Sequence, residues 1–390
     1  MALPPSPSIR FTNTEVFLPD GPEIGAISVQ DGRLSFGDGP VRDVALPDHM
    51  ILPGIIDLHG DGFERHLAPR RGAVSDKALG LRALEAELAT HGITTAWLAQ
   101  FFSWEGGMRG PDFAEDLTNA LARYRTDALL DLRLQLRFEV SMLDQYDRFA
   151  HLALAGVADY VVFNDHLPHT ELAAGKRPPR LTGAALKARR SPEDHLDLLK
   201  ELHANMARCE APLSALAARL REGGLTLGSH DDETCAGRDR YARLGARIAE
   251  FPLSREVARH ARDSGSPIVM GAPNVVRGGS HKTNVSARDL IRDGLVDAMV
   301  SDYHYAALPQ AAFTLADRGD MSLADAWALI SAGPARILDL DDRGALREGY
   351  RADLTIVERK TRRIEGCFAA GRPAYLSGAL AAALMADAAP

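Results

Sequence analysis

The chain has 390 residues, 46% apolar and 25% charged, a length that suits one large barrel with a smaller domain or two medium domains. Its formal net charge of −8 argues against a nucleic-acid partner bound by broad charge neutralisation. Three scattered cysteines without a CxxC pair suggest neither a disulfide framework nor a thiolate zinc site. The N-terminus has no signal-peptide pattern, and the last apolar stretch is broken by glycine and proline. We therefore expect a cytoplasmic protein without a membrane partner.

Residues 1–50 have the pattern of short strands and tight turns, with Asp31-Gly32 as a hairpin signal between two apolar runs. A second turn-and-strand pattern begins at Gly344 and leads into an apolar run near Val357. We predict that residues 1–50 and 336–390 together form a small β-sandwich beside the main domain.

From Ile51 onward, short apolar runs alternate with segments of helical composition, such as 75–90, 191–208 and 286–293. Eight strand–helix repeats predict a closed parallel (β/α)8 TIM barrel over residues 51–335, with a doubly wound open sheet as the structural alternative. The predicted strands are 51–58, 93–101, 133–140, 159–165, 225–230, 246–251, 267–272 and 296–302.

Histidine and carboxylate residues recur where these strands end, which is the edge where barrel enzymes carry their chemistry. His59 and Asp61 are two residues apart, so both side chains leave the strand on the same face. Each residue taken singly is equally well read as a cap or a loop anchor, but together they predict a site for divalent ions, up to two of Zn²⁺, Mn²⁺ or Fe²⁺. The candidate ligands are His59, Asp61, Glu139, His166, His230 and Asp302.

A glycine-rich segment after the seventh predicted strand has the composition of an anion-binding loop, because backbone N–H groups and basic side chains lie close together there. The alternative is a glycine-rich turn with solvated basic residues. The long basic segment between His166 and Ser191 is a candidate lid. The candidate substrate-binding residues are Arg70, Lys176, Arg277, Ser280, His281 and Lys282.

These motifs resemble one family closely. The segment LPGIIDLHGD, residues 52–61, is similar to the opening ligand strand of the amidohydrolase superfamily. Within that superfamily, segments between about Leu52 and Ser331 look like the PhnM family of α-D-ribose 1-methylphosphonate 5-triphosphate diphosphatases. The most specific of them are Asn164-Asp165-His166, Ser229-His230-Asp231-Asp232, IAEFP at 248–252, MGAPNVVRGGSH at 270–281 and Ser301-Asp302-Tyr303.

The resemblance implies a binuclear metal centre and hydrolysis of a phosphorylated ribose within its 5-triphosphate, which releases pyrophosphate. It also implies that Glu139 bridges the ions or completes their ligand set, and that Asp302 is the catalytic acid/base. The sequence departs from the family at 167–170, where Leu-Pro-His-Thr replaces the usual Thr-Pro-Gly-Gln, and again at Lys282. Metal chemistry is therefore better supported than the substrate.

Two other functions stay open at this point. The first is hydrolysis of a C–N bond by a deaminase or cyclic-amide hydrolase, which would favour an apolar pocket. The second is a non-enzymatic binding protein on the same barrel, against which a complete set of metal ligands argues. The sequence is compatible with a homo-oligomer.

Overall fold

The structure is a computed structural model that describes residues 7–37, 39, 41–70, 76–278 and 285–386. Its strands are β1 (Ile9–Leu18), β2 (Gly21–Gln30), β3 (Arg33–Ser35), β4 (Arg42–Ala45), β5 (His49–Pro53), β6 (Ile55–Gly60), β7 (Ile93–Phe102), β8 (Asp131–Glu139), β9 (Ala158–Asn164), β10 (Thr226–His230), β11 (Ile248–Glu250), β12 (Ile268–Gly271), β13 (Ala298–Val300), β14 (Leu354–Glu358), β15 (Ile364–Ala369) and β16 (Arg372–Leu376).

The helices alternate with β6 to β13 and continue after them. They are α1 (Glu64–Leu67), α2 (Lys77–Thr90), α3 (Pro111–Tyr124), α4 (Tyr146–Ala153), α5 (His169–Ala173), α6 (Leu181–Lys187), α7 (Pro192–Glu222), α8 (Cys235–Arg243), α9 (Arg255–Asp263), α10 (Ala272–Arg277), α11 (Ala287–Arg292), α12 (Ala307–Asp317), α13 (Leu323–Ala328), α14 (Ala332–Ile337) and α15 (Gly378–Ala386). Within the described ranges, no helix is long and apolar enough to cross a bilayer.

Both chain ends contribute to one mixed sheet, in the order β16-β15-β14-β5-β1-β2-β3 with β4 paired to β1. The β5 strand joins the two ends, because it pairs antiparallel with β14 and parallel with β1. Alternating side chains of these strands form an apolar core around Phe11, Ile51 and Phe368. The prediction that both ends build one β unit is confirmed.

The barrel strands form a second, parallel sheet in the order β6-β7-β8-β9-β10-β11-β12-β13, which counts eight strands among the described residues. All ten residues of β7 are buried, as expected of a strand covered on both faces. A parallel bridge between Gly60 and Asp302 brings the first and last strands together. The predicted (β/α)8 class is therefore confirmed.

The chain divides into two compact units. The first comprises Met1–Trp97, Tyr124–Leu132 and Val269–Pro390, and contains the mixed sheet together with β6 and β13. The second comprises Leu98–Arg123 and Arg133–Ile268, and contains β9, β10 and β11 with the long helix α7.

Two predicted elements differ from the structure. The apolar run at 51–58 is two strands, because the chain leaves the mixed sheet after Pro53 and enters the barrel at Ile55. Gly54 lies at this break, where a Cβ atom would collide with the side chain of Thr94. The segment predicted as a helix over 191–208 extends through Pro212 to Glu222, and the segment before it contains the short helices α5 and α6.

Candidate metal centre

In the second unit, four neighbouring parallel strands end in or just before residues with metal-binding chemistry. Glu139, His230 and Glu250 are the last residues of β8, β10 and β11, and His166 follows β9 by two residues. Because the carboxyl ends of parallel strands share one edge of the sheet, these side chains meet. We call Glu139, His166, His230, Asp231 and Glu250 the histidine cluster.

Each histidine of the cluster has a buried glutamate beside its Nδ1 atom. His166 Nδ1 lies 2.5 Å from Glu139 Oε1, and the His166 backbone N–H donates to Glu139 Oε2 at 3.1 Å. His230 Nδ1 lies 3.4 Å from Glu250 Oε2. At His166 the hydrogen bond to Glu139 fixes the tautomer that presents Nε2 to a metal ion.

The second nitrogens of both rings face one carboxylate. His166 Nε2 and His230 Nε2 lie 3.9 and 3.8 Å from Asp231 Oδ2, and these three residues form a group that could hold an ion. These three side chains would be able to hold a zinc ion together. Two imidazoles and one carboxylate also suit Mn²⁺ and Fe²⁺, so the residues fit a divalent ion.

Burial and the charge of the partner shift the pKa values of Glu139 and His166 in opposite directions. Burial alone would raise the pKa of Glu139, but the adjacent His166 outweighs it and the pKa lies below its ordinary value. Burial alone would lower the pKa of His166, but Glu139 outweighs it and the pKa is raised. The glutamate is therefore an ionised acceptor for the Nδ1–H group of His166.

Left-handed backbone marks the ends of three barrel strands. Asp231 and Phe251 directly follow β10 and β11, Asp302 follows β13 by two residues, and their φ angles are 56°, 54° and 54°. Such conformations cost roughly 1–3 kcal/mol each in non-glycine residues and concentrate at functional sites. At Asp231 the backbone N–H donates to the Glu250 carbonyl at 3.0 Å, which holds the turn in place.

Arg137 is a member of this environment that the sequence analysis missed. It lies on β8 two residues before Glu139, is 4% exposed, and has Nη2 2.7 Å from His230 Nε2. Its guanidinium lies over the Phe101 ring, 3.8 Å from the ring centroid. The two-residue spacing to Glu139 was the available signal, because alternate strand residues share a face.

In the first unit, the remaining predicted ligands lie where the first and last barrel strands meet. Asp61 N–H donates to the Asp302 carbonyl at 2.8 Å, and Asp302 N–H donates to the His59 carbonyl at 3.0 Å. His59 is fully buried, and Asp61 and Asp302 are half-buried. The structure therefore brings His59, Asp61 and Asp302 together through their backbones.

A buried carboxylate secures this junction. Asp57 Oδ1 accepts from the backbone N–H groups of Ser301 at 3.0 Å and His59 at 3.3 Å, and Asp57 Oδ2 accepts from Ser301 Oγ at 2.5 Å. A Cβ atom at Gly60 would approach Asp57 Oδ2 to 2.8 Å and the Tyr305 ring to 2.7 Å, so glycine is required there. We call Asp57, His59, Ser301 and Asp302 the strand-closing clasp.

Three of the six predicted substrate-binding residues lie in the described part of the chain, and all three are exposed. Arg277 ends α10, is exposed, and has Nη1 3.4 Å from Tyr303 Oη, one residue after Asp302. Arg70 and Lys176 are exposed. Ser280, His281 and Lys282 lie outside the described residues.

The departure from the family pattern at His169 produces a contact of its own. His169 Nε2 lies 3.0 Å from both carboxylate oxygens of Asp165, and its Nδ1 lies 2.7 Å from Nδ1 of His203 on α7. The hydrogen bond that His169 donates to Asp165 raises the pKa of His169. This three-residue chain ties α5 at the start of the predicted lid to the long helix.

Comparisons with known proteins agree on one family. A model described as the amidohydrolase family matches residues 78–366. The α-D-ribose 1-methylphosphonate 5-triphosphate diphosphatase of Escherichia coli (strain K12) is 33% identical over 376 residues, which cover 91% of this chain and 96% of that protein.

Solved structures share the fold at low sequence identity. An N-acetylglucosamine-6-phosphate deacetylase from Pasteurella multocida is 12% identical with a TM-score of 0.64, covering 94% of this chain and 99% of its own. A β-aspartyl dipeptidase from Fervidobacterium islandicum is 14% identical with a TM-score of 0.61, covering 96% and 98%. A zinc-bound adenosine deaminase from Xanthomonas campestris is 16% identical with a TM-score of 0.54, covering 99% and 98%.

Proposed function

Because the chain belongs to the amidohydrolase family, we propose that this hydrolase is a metal-dependent diphosphatase. Its substrate is α-D-ribose 1-methylphosphonate 5-triphosphate, which it cleaves to the 5-phosphate and pyrophosphate in alkylphosphonate catabolism. The observation that carries the proposal is the histidine cluster, in which two Nε2 atoms face one carboxylate. The name of the Escherichia coli relative, at 33% identity over 91% of this chain, supports the triphosphate substrate.

The two groups of strand-end residues supply the proposed ligands. His166, His230 and Asp231 hold one ion, and Glu139 and Glu250 orient the two imidazoles from behind. The bond to His166 supports this role for Glu139, and the family resemblance implies that Glu139 also bridges the ions or completes their ligand set. His59, Asp61 and Asp302 are the proposed ligands of a second ion.

The chemistry that a divalent ion supplies when bound is activation of water near neutral pH and neutralisation of charge on phosphoryl oxygens. The carboxylate of Asp302 accepts a proton from the attacking water and returns it to the leaving pyrophosphate. Asp302 has a left-handed backbone conformation just after the barrel's last strand. Its backbone is hydrogen-bonded to those of His59 and Asp61.

Basic residues bind the polyphosphate in this proposal. Arg277 lies beside Tyr303, next to the proposed acid/base, and the following glycine-rich segment carries Ser280, His281 and Lys282. Arg70 and Lys176 add positive charge. Each charge-assisted hydrogen bond to a phosphate oxygen contributes roughly 1.5–3 kcal/mol.

The experiment identifies the product. Purified enzyme with Mn²⁺ or Zn²⁺ is given a ribose 5-triphosphate and, separately, a panel of cyclic amides and aminopurines, and pyrophosphate and ammonia are measured. We expect pyrophosphate from the triphosphate, with a lower rate in Arg277→Ala and an unchanged rate in the surface control Lys200→Ala. Release of ammonia with no pyrophosphate would assign the site to C–N hydrolysis instead.

A further inference from the structure

Arg137 places a permanent positive charge inside a group of residues that is suited to a metal cation. A guanidinium is always protonated, and taking it out of water is costly unless its surroundings compensate for the charge. Two neighbouring groups compensate for this charge. The face of the Phe101 ring lies 3.8 Å from the guanidinium, and the ionised Glu139 lies nearby. The charge is therefore a built part of the site and not a solvated surface charge.

The contact with His230 uses the same electron pair that a metal ion would use. An arginine has no acceptor, so Nη2 donates to His230 Nε2 at 2.7 Å, and that nitrogen must be unprotonated. The remaining ring proton is then on Nδ1, which faces Glu250 Oε2 at 3.4 Å. This is the tautomer that metal binding through Nε2 requires.

One lone pair cannot accept a proton donor and coordinate an ion at the same time. We propose that Arg137 competes with the metal ion for His230 Nε2, so that metal binding displaces the guanidinium. The inference rests on the proposed function, because it assumes that His230 is a ligand. Arg137 thereby holds His230 in the binding tautomer before the ion arrives and lowers the affinity for the ion.

The experiment measures metal affinity directly. Chelator-stripped wild type, Arg137→Met and Arg137→Gln are titrated with Zn²⁺ and Mn²⁺ against a metal-indicator dye. Arg133→Met is the matched control, because Arg133 lies on the same strand and pairs with Asp159 at 3.1 Å. We expect both Arg137 variants to bind the ion at least tenfold more tightly, about 1.4 kcal/mol, and the control to match wild type.

Unchanged or weaker binding in folded Arg137 variants would overturn the inference while leaving the metal site intact. A wild type that binds no ion would overturn the proposed function as well. A second measurement needs no variant: crystal structures of stripped and zinc-loaded wild type. The hydrogen bond from Arg137 to His230 should be present in the stripped protein and absent in the loaded one, and its persistence beside a bound ion at His230 would contradict displacement.

Discussion

The histidine cluster and the strand-closing clasp both present candidate metal ligands at strand ends, but they are held together differently. In the cluster, side chains orient side chains, as Glu139 does for His166. In the clasp, backbone groups pair directly, and the buried Asp57 accepts from two backbone N–H groups. Substitutions in the cluster should therefore change metal affinity, whereas substitutions at Asp57 should also change the stability of the fold.

The largest effect should come from removing a ligand of the cluster. His166→Ala deletes one of the two imidazoles that face Asp231, so we expect turnover to fall roughly a thousandfold, about 4 kcal/mol. Steady-state kinetics at saturating metal measures this. The control His151→Ala removes an exposed histidine of α4 and should keep wild-type turnover; comparable loss in both would mean that His166 has no special role.

The next prediction concerns Glu139 and Glu250, which lie beside the Nδ1 atoms of the two histidines. Glu139→Gln and Glu250→Gln keep the size of the side chain but lose its charge, so we expect metal affinity to fall about ten- to a hundredfold. Equilibrium metal titration of the stripped variants checks this. Wild-type affinity in both variants would show that neither glutamate orients its histidine for metal binding.

Breaking the clasp should act on folding. Asp57→Asn turns part of an acceptor for Ser301 into a donor, and we expect the free energy of unfolding to fall by about 1–2 kcal/mol. Denaturant unfolding of metal-stripped protein measures this loss without a contribution from bound metal. Glu139→Gln is the contrasting variant, and a larger loss of stability there than in Asp57→Asn would reverse the distinction between the two groups.

The smallest effect lies outside both groups, in the mixed sheet. Burial alone would raise the pKa of Glu365, but the hydrogen bonds from His49 and the Leu380 N–H outweigh it and hold the pKa below its ordinary value of 4.5. A lowered pKa gives stability that is present above pH 4.5 and is lost as the pH falls through the lower folded value. The stability difference between wild type and Glu365→Gln should therefore shrink from pH 6 to pH 3; a constant difference would exclude this linkage.

The eight barrel strands could be predicted because their apolar runs are short and most are followed by helical segments. The ends of those strands also identified His59, Glu139, His166, His230 and Asp302 as a set, since parallel strands put their carboxyl ends at one edge. The break at Gly54 was not predictable, because the apolar run continues across it and only contact with Thr94 reveals it.

The partners of the site residues were harder to predict than the residues themselves. Glu250 belongs to the family motif at 248–252, but its position beside His230 depends on how two strands pair. Arg137 resembles any charged residue of a strand until its distance to His230 is known. Such pairings depend on tertiary structure, which periodicity within one segment does not describe.

Measuring metal content together with activity tests whether this hydrolase depends on bound divalent ions. Purified wild type is analysed for bound divalent ions, stripped with a chelator, assayed for pyrophosphate release from a ribose 5-triphosphate, and assayed again after addition of Zn²⁺ or Mn²⁺. We predict up to two ions per chain, loss of activity on stripping and its return with metal. Full activity in stripped protein that contains no metal would contradict the account.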